Sequence, residues 1–214
     1  MRRTRRLPLA ELEPYLLSVS QESKSAGVPK CLSWPAVFGN DHPVEVEVGF
    51  GKGLFLVEGG QARPEINFLG IEIERKYQLF TANRLAKRGL KNVRLVCADA
   101  RILFRDHLAN GSVHTIHVYF PDPWWKKRHH KRRVFTEEFA GQCARVLRPG
   151  GTLDVITDVG EYFTLIQNLL AAQPALILLP GHDTKEAAAD LTNFERKYRQ
   201  EGRPIFRARY RKNA

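Results

Sequence analysis

Four carboxylates that each follow a predicted β-strand are the residues of this sequence best placed to do chemistry: Glu47, Glu72, Asp99 and Asp122. Parallel strands end at one edge of a sheet, and open α/β sheets bind ligands at that edge, so we expect these acids to line one rim. A carboxylate after the second strand can accept hydrogen bonds from both hydroxyls of a ribose. Any one of these acids alone would equally suit a solvated loop or a helix cap, but their placement at successive strand ends favours a shared binding site.

A glycine-rich loop, "EVGFGKG", joins the first of these strands to the next helix. Gly49, Gly51 and Gly53 let the backbone turn sharply and approach a ligand, although a purely structural turn would use the same residues. The dinucleotide fingerprint G-x-G-x-x-G fails because Leu54 stands where its third glycine belongs. An acidic rim without that fingerprint favours a cofactor that has no phosphate. S-adenosylmethionine, which carries a ribose, an amine and a sulfonium, fits this description, and Lys52 is a mild counter-indication.

The stretch "HVYFPDPWWKKRHHKRRV" places Asp122 directly after a fourth apolar strand, between two prolines that restrict the backbone. Asp122 also suits a helix N-cap with Pro123 at the first helical position, a role that does not exclude chemistry. Trp124 and Trp125 suit either the core or stacking on a nucleic-acid base. The six Lys and Arg residues that follow suit contact with a phosphate backbone, which is blind to base sequence and weakened by salt.

The elements that must position these residues alternate between strand and helix five times, and the strands are apolar on both faces. That pattern predicts a parallel sheet with helices on each side. The clearest helix, "TEEFAGQCARVLRPGG", has Thr136 as a cap and acids in its first turn. The last strand, "IFRARYRK", carries three arginines on one face, which favours an edge position. The proline-containing first forty residues predict an arm with one short helix.

The net charge of +11 and the isoelectric point near 9.8 favour a polyanionic partner. The positive charge is clustered at the N-terminus, in the stretch after Trp125, and between Arg196 and Lys212, which favours RNA or DNA. No apolar stretch is long enough to span a membrane, and the basic N-terminus lacks the apolar region of a signal peptide. Three cysteines without metal spacing indicate reduced residues of a cytoplasmic protein, and the histidines show no metal pattern.

Seven motifs occur in an order that closely resembles the bacterial tRNA (guanine-N7-)-methyltransferase family: "VEVGFGKG", "FLGIEIERK", "CADA", "VYFPDPWWKKRHHKRRV", "LRPGG", "ITD" and "TNFE". The resemblance covers roughly Val44 to Lys212, and its most specific part is the proline–tryptophan–basic stretch. It implies a Rossmann-like class I methyltransferase, an α/β fold whose mostly parallel, seven-stranded sheet has an antiparallel last strand and helices on both faces. It also implies S-adenosylmethionine as methyl donor and guanosine 46 in the variable loop of tRNA as acceptor. We therefore expect an N-terminal arm over residues 1–42 and a methyltransferase domain over residues 43–214.

Matched motif by motif, the resemblance implies roles for individual residues. Those implied at the cofactor are Glu47, Gly49, Gly51, Glu72, Asp99 and Asp122, and Asp122 is also the implied catalytic residue. Those implied at the substrate are Lys126, Asp158, Thr192, Asn193, Phe194 and Glu195. Those implied to meet RNA are Arg128, His129, His130, Lys131, Arg132 and Arg133. Trp125 and Asn193 depart from the family pattern, which bears on RNA preference more than on chemistry, and Thr192-x-x-Glu195 also suits a helix capping box.

The implied reaction needs no Ser-His-Asp triad and no metal ion, because guanine N7 has an in-plane lone pair and no proton to remove. Alignment of the reacting atoms is then the main requirement, and a carboxylate near the base favours the positive charge that the base acquires. Three alternatives stay open at this point: an RNA-binding module without activity, a nicotinamide oxidoreductase, and a methyltransferase that acts on DNA or protein. The sequence does not decide between a monomer and a homodimer.

Overall fold

The computed structural model describes residues 7–19, 31–180 and 200–214. Within these ranges the chain forms one eight-stranded sheet in the order β1-β4-β3-β2-β5-β6-β8-β7. The strands are β1 (Leu16–Leu17), β2 (Val44–Val48), β3 (Asn67–Glu72), β4 (Val93–Cys97), β5 (Val113–Tyr119), β6 (Leu147–Thr157), β7 (Leu176–Leu178) and β8 (Phe206–Lys212). Strands β1 to β6 run parallel, and β8 runs antiparallel to both β6 and β7.

Helices cover both faces of the sheet. They are α1 (Leu9–Leu12), α2 (Trp34–Phe38), α3 (Leu54–Ala62), α4 (Arg75–Ala86), α5 (Ala100–His107), α6 (Glu137–Val146) and α7 (Gly160–Ala171), with 3-10 helices at Glu13–Tyr15 and Lys127–Arg132. On one face, α5, α6 and α7 bury apolar side chains such as Phe104, Phe139 and Ile166. On the other face, α1, α3 and α4 bury a second cluster that includes Phe55 and Leu85. In the described parts of the chain, no helix has the length and apolar character needed to cross a membrane.

The order of the strands fixes where a ligand can bind. The chain proceeds from β2 outward to β4 on one side, then returns to β5 and continues outward on the other side. The switch point of this topology therefore lies between β2 and β5, which pair in parallel, with Glu47 opposite His117. In open parallel sheets the crevice beyond the carboxyl ends of the strands at this point binds ligands.

The predicted α/β fold class is confirmed, and the sheet has one strand more than the seven that the family resemblance implied. The additional strand, β1, comes from the N-terminal arm, where Leu16 and Leu17 pair with Leu95 and Val96 of β4. Leu12 is buried beside it, so the described part of the arm packs against the sheet. The division of the chain at residue 42 stays a prediction.

The expectation that the last strand lies at the edge of the sheet is wrong. Strand β8 lies between β6 and the three-residue β7. Arg209 is accommodated there because it pairs with Asp154 on the neighbouring β6. On the opposite face of β8, Ala208 and Tyr210 are buried, which an edge strand would not require.

The cap expected for the helix at Thr136, which is α6, is present. The Thr136 hydroxyl accepts a hydrogen bond of 3.1 Å from the backbone N–H of Phe139. Helix α6 then ends at Val146, before Pro149, because Leu147 already begins β6.

Gly70, in the middle of β3, sets how closely the glycine-rich loop and α3 approach the sheet. A Cβ atom at this position would lie 2.4 Å from Leu56 Cδ1, 2.7 Å from Phe50 Cδ1 and 2.9 Å from Leu95 Cδ2. Phe50 belongs to the loop and Leu56 to α3. The absence of a side chain at Gly70 therefore allows this tight packing beneath the loop.

We predict that Gly70→Ala lowers the free energy of unfolding by about 1–3 kcal/mol, because overpacking forces neighbouring side chains or backbone to move. Urea denaturation followed by circular dichroism measures the change. Gly141→Ala in α6 is the matched control, since a Cβ there meets one atom at 3.6 Å, an ordinary contact. The control should raise stability by up to about 1 kcal/mol through helix propensity. An equal effect of both substitutions would contradict the packing explanation.

Candidate functional site

Glu47, near the carboxyl end of β2, is a buried acid with an oxygen that has no partner. The residue is 4% exposed, and its Oε2 atom makes no hydrogen bond within the described residues. Burial raises the pKa of Glu47 to about 8, a shift that His117 opposes and that repulsion from Glu72 increases. A buried carboxylate without a partner is costly, and it is a position where a cationic or hydrogen-bonding ligand group would be stabilised.

Glu72, at the end of β3, holds the glycine-rich loop. Its Oε2 atom accepts a hydrogen bond of 2.9 Å from the Gly51 N–H, and its Oε1 atom accepts bonds from the Ile73 and Glu74 N–H groups. The predicted neighbours Glu47 and Glu72 are therefore brought together at one rim, beside Gly51. Each carboxylate oxygen has two lone pairs, so Glu72 keeps acceptor capacity for a ligand hydroxyl.

Helix α4 completes the support of the loop. Gly49, Gly51 and Gly53 all have positive φ angles, between 51° and 77°. Open space surrounds the position of a Cβ at Gly49 and at Gly51, whereas a Cβ at Gly53 would lie 2.2 Å from Thr81 of α4. The first two glycines thus leave open space beside the loop, and Gly53 allows close packing on α4.

Asp99, after β4, begins α5 as its N-cap and is held by Arg101. The Arg101 N–H and Nε both donate to Oδ1, at 2.9 and 3.1 Å, and its terminal nitrogen donates to Oδ2 at 2.6 Å. These hydrogen bonds lower the pKa of Asp99, and burial opposes the shift. Asp99 is therefore both a helix cap and an ionised group at the same edge of the sheet.

Asp122 lies in a loop between β5 and the basic 3-10 helix and is exposed. The 3-10 helix begins five residues later at Lys127, so Asp122 does not cap a helix. Phe120 and Trp124, which flank the Pro-Asp-Pro unit, have φ angles of 50° and 44°. The Phe120 N–H donates to the Ile156 carbonyl at 2.7 Å. The loop therefore adopts an unusual backbone conformation that is bonded to β6, and it exposes Asp122 to solvent at the switch point.

The basic stretch forms a short 3-10 helix whose residues Arg128, Lys131 and Arg132 are exposed. His129 and His130 are half-buried within the same turn, and Lys126 precedes it. Arg133 points inward instead: its Nε donates to the Pro123 carbonyl at 2.6 Å, and its guanidinium lies over the Tyr162 ring. Arg133 therefore braces the loop that carries Asp122.

The two tryptophans occupy different environments. Trp124 is half-buried, with the Arg132 guanidinium 5.0 Å from its ring centroid and the His129 ring at its edge. Trp125 is 64% exposed. Neither is a fully buried core residue.

Asp158, after β6, pairs with Arg203 at 3.2 Å. Its side chain is 14% exposed, so the pair ties the segment before β8 to the rim of the sheet. The predicted substrate residues Thr192, Asn193, Phe194 and Glu195 lie outside the described residues.

A ladder of charged side chains, buried at its centre and partly exposed at both ends, crosses the sheet behind this site. Its members are Arg63, Glu45, His117, Asp154 and Arg209, which alternate in sign. His117 lies 2.9 Å from Glu45 and 3.5 Å from Asp154, and the two acids pair outward with Arg63 and Arg209. Burial would lower the pKa of His117, but hydrogen bonds with Asp154 and Glu45 raise it to about 9.

No ladder residue is among the predicted site residues. The signal in the sequence is a polar residue inside each of three apolar strands: "VEVEV", "VHTIHVY" and "TLDVIT". The contacts among the ladder residues depend on the strand order β2-β5-β6-β8, and the sequences of the three strands do not predict that order.

The rim formed by Glu47, Glu72, Asp99 and the glycine-rich loop suits a cationic nucleoside better than a pyrophosphate or a metal ion. Glu47 offers an unpartnered buried oxygen, Glu72 and Asp99 add negative charge, and the glycine loop leaves open space above the strands. Phosphate groups would be repelled by this set of carboxylates. Among the residues that the structure describes, no cluster of His, Cys, Asp and Glu has the arrangement of a metal site.

Comparison with known proteins gives concordant results. A family model described as "Putative methyltransferase" matches residues 41–208. The chain is 44% identical over 196 residues to a tRNA (guanine-N(7)-)-methyltransferase of Rhodopirellula baltica, covering 87% of this chain and 72% of that protein. It is 37% identical over 193 residues to the enzyme of that name in Alkalilimnicola ehrlichii, covering 89% and 81%.

Solved structures show the same fold at low sequence identity. The 16S rRNA methyltransferase KamB superposes with a TM-score of 0.58 at 16% identity, over 83% of this chain and 91% of that chain. TrmN from Thermus thermophilus superposes with a TM-score of 0.56 at 16% identity, over 84% of this chain and 47% of that chain. These likenesses identify a class I methyltransferase fold.

We predict that Glu47→Gln raises the free energy of unfolding by about 1–3 kcal/mol at pH 8.5, because the neutral amide removes the cost of a buried charge. The pKa of Glu47 in the folded chain, about 8, lies above its usual 4.5. Ionisation of Glu47 therefore opposes folding increasingly as pH rises from 4.5 to 8. The gain from the substitution should be smaller at pH 5, where the wild-type side chain is already neutral.

Urea denaturation at both pH values measures this difference. Glu65→Gln, at an exposed acid, is the control and should give the same small change at both. A gain from Glu47→Gln that does not depend on pH would contradict the account.

Proposed function

This chain belongs to the tRNA (guanine-N(7)-)-methyltransferase family, and we propose that it methylates N7 of guanosine 46 in the variable loop of tRNA, in the cytoplasm. The observation that carries the proposal is the pairing of two surfaces of opposite charge at the switch point of the sheet. Glu47 and Glu72 form an acidic crevice, and the basic 3-10 helix begins a few residues beyond Asp122. A cationic donor and a polyanionic acceptor would each find a complementary surface there.

S-adenosylmethionine, when bound, supplies a methyl group on a positively charged sulfur. The residues that would hold it are Glu47, Glu72, Asp99 and the glycine loop. Glu47, whose raised pKa of about 8 leaves it mostly protonated near neutral pH, would lose its proton beside a cation and balance that charge with an oxygen that has no partner among the described residues. Glu72 fixes the loop at Gly51 and accepts hydrogen bonds from hydroxyl groups. Asp99, kept ionised by Arg101, offers a further acceptor at the end of β4.

Asp122 is the proposed catalytic residue because of where it lies and what the acceptor base requires. Guanine N7 needs no general base, but the ring gains positive charge as it gains the methyl group. A carboxylate fixed beside the ring stabilises that charge and accepts N–H hydrogen bonds of the base, which also orients it. Pro121 and Pro123 on either side, with Arg133 bonded to the Pro123 carbonyl, hold Asp122 in place.

The exposed cations Arg128, Lys131 and Arg132 would contact the tRNA backbone, with Lys126 nearest the acceptor base. Asp158 and residues 192–195 are the proposed further contacts with the substrate nucleotide. Because the target base takes part in the tertiary structure of tRNA, it has to swing out of its pairing to reach Asp122.

We predict that the purified chain transfers a tritiated methyl group from S-adenosylmethionine to an unmodified tRNA transcript that carries guanosine 46. Replacement of that guanosine by adenosine should abolish incorporation, because adenosine lacks the N–H pattern that Asp122 would accept. Scintillation counting of precipitated RNA measures transfer, and nuclease digestion locates the methylated nucleotide.

Other outcomes of this experiment would overturn the proposal. Equal transfer to the two transcripts would exclude guanosine 46 as the site. Transfer to DNA or protein but not to tRNA would place the substrate elsewhere. Binding of tRNA with no uptake of S-adenosylmethionine in calorimetry would indicate an RNA-binding module without activity.

We predict that Asp122→Asn lowers kcat by about 10²-fold, the scale of one lost electrostatic contact to a transition state. Because the basic helix is unchanged, KM for tRNA should rise by much less than kcat falls. Steady-state kinetics at saturating donor measure both constants. Asp41→Asn, at an exposed acid before β2 on the opposite edge of the sheet, is the control, and full turnover by Asp122→Asn would remove this residue from the reaction.

A further inference from the structure

Arg101 joins the cofactor side of the sheet to the basic 3-10 helix. It lies near the start of α5, and its guanidinium holds both oxygens of Asp99. The same guanidinium donates through its other terminal nitrogen to the backbone carbonyl of Lys131, at 2.9 Å. One planar group therefore contacts a proposed cofactor residue, Asp99, and the segment proposed to meet RNA at Lys131, 32 residues further along the chain.

The stability of the fold does not explain this arrangement. The Arg101 and Asp99 side chains are 34% and 24% exposed, and ion pairs with this much solvent contact contribute about 0–1 kcal/mol. The geometry is nonetheless specific, because a guanidinium presents its N–H groups in a fixed fork. Any shift of the Lys131 carbonyl is transmitted to the plane of the fork and so to the orientation of Asp99.

We propose that Arg101 is a positioning residue that couples cofactor binding to tRNA binding, so that each ligand tightens the other. This inference rests on the proposed function. When phosphate groups contact Arg128, Lys131 and Arg132, they order the 3-10 helix and fix the Lys131 carbonyl. Arg101 then holds Asp99 in one orientation before the cofactor binds. The cofactor therefore loses less binding free energy to the ordering of Asp99. By linkage, bound cofactor orders the helix for tRNA by the same factor.

The test measures this coupling factor by calorimetry. S-adenosylhomocysteine, the demethylated product, is titrated into the full chain alone and into the chain saturated with unmodified tRNA transcript. The dissociation constant should fall by about fivefold or more in the presence of tRNA, the usual scale of coupling between two sites. In the same protein, addition of S-adenosylhomocysteine should slow amide hydrogen exchange in residues 127–132.

Arg101→Lys is the diagnostic variant. It keeps the positive charge, but a single ammonium group cannot reproduce the fork that spans Asp99 and the Lys131 carbonyl. The coupling factor should fall to near one, while each dissociation constant measured alone changes by no more than about fivefold, the scale of an exposed ion pair.

Arg105→Lys is the matched control. Arg105 lies one turn further along α5 and pairs with Asp106 on the surface, so this variant should keep the wild-type coupling factor. Thermal unfolding of both variants confirms that they are folded.

Two results would overturn the inference while leaving the proposed function intact. One is a wild-type chain that binds both ligands with no coupling, and the other is an Arg101→Lys variant with the full coupling factor. A chain that does not bind S-adenosylhomocysteine at all would overturn the proposed function and this inference together.

Discussion

The buried carboxylate of Glu47 is the constraint on which the site depends. A carboxyl group deep in a sheet is costly when ionised, and its Oε2 atom has no partner within the described residues. The ladder behind it moderates the cost. With His117 protonated, the ladder carries three cations and two anions, and His117 is opposite Glu47 in the register of β2 and β5. Each ladder acid lies between two cations, and the positive charge of His117 opposes the rise of the pKa of Glu47.

The residues that the sequence predicts best are those whose position follows from local rules. Glu47, Glu72 and Asp99 are predicted because parallel strands share an edge, and each is found there. Thr136 is predicted as a cap because its partner lies three residues away, and the bond is present. The glycine loop follows from the same strand-to-helix junction, and its positive φ angles are what glycine permits.

Features that depend on the pairing of distant strands are not predictable in this way. His117 resembles any polar residue in a strand until β5 is known to lie between β2 and β6. Arg209 suggests an edge strand until Asp154 is found opposite it. The hydrogen bond from Arg101 to Lys131 has no counterpart in either local segment, because it depends on how the loop after β5 folds back over α5. Two leucines of an irregular arm give no signal that they extend the sheet.

The loop that carries Asp122 combines a local backbone conformation with contacts from distant parts of the chain. Phe120 and Trp124 adopt φ angles that are unfavourable for residues with side chains, and such conformations cost about 1–3 kcal/mol each unless their surroundings impose them. Here the surroundings do so: the Phe120 N–H is bonded to β6, Arg133 holds the Pro123 carbonyl, and Arg132 lies over Trp124. Two of these contacts come from the basic stretch, which the proposal assigns to RNA. The same few residues therefore set the conformation of the loop and the charge of the surface. A loop backbone held in this way need not rearrange to bring Asp122 to the base, which favours the preorganisation that electrostatic catalysis requires.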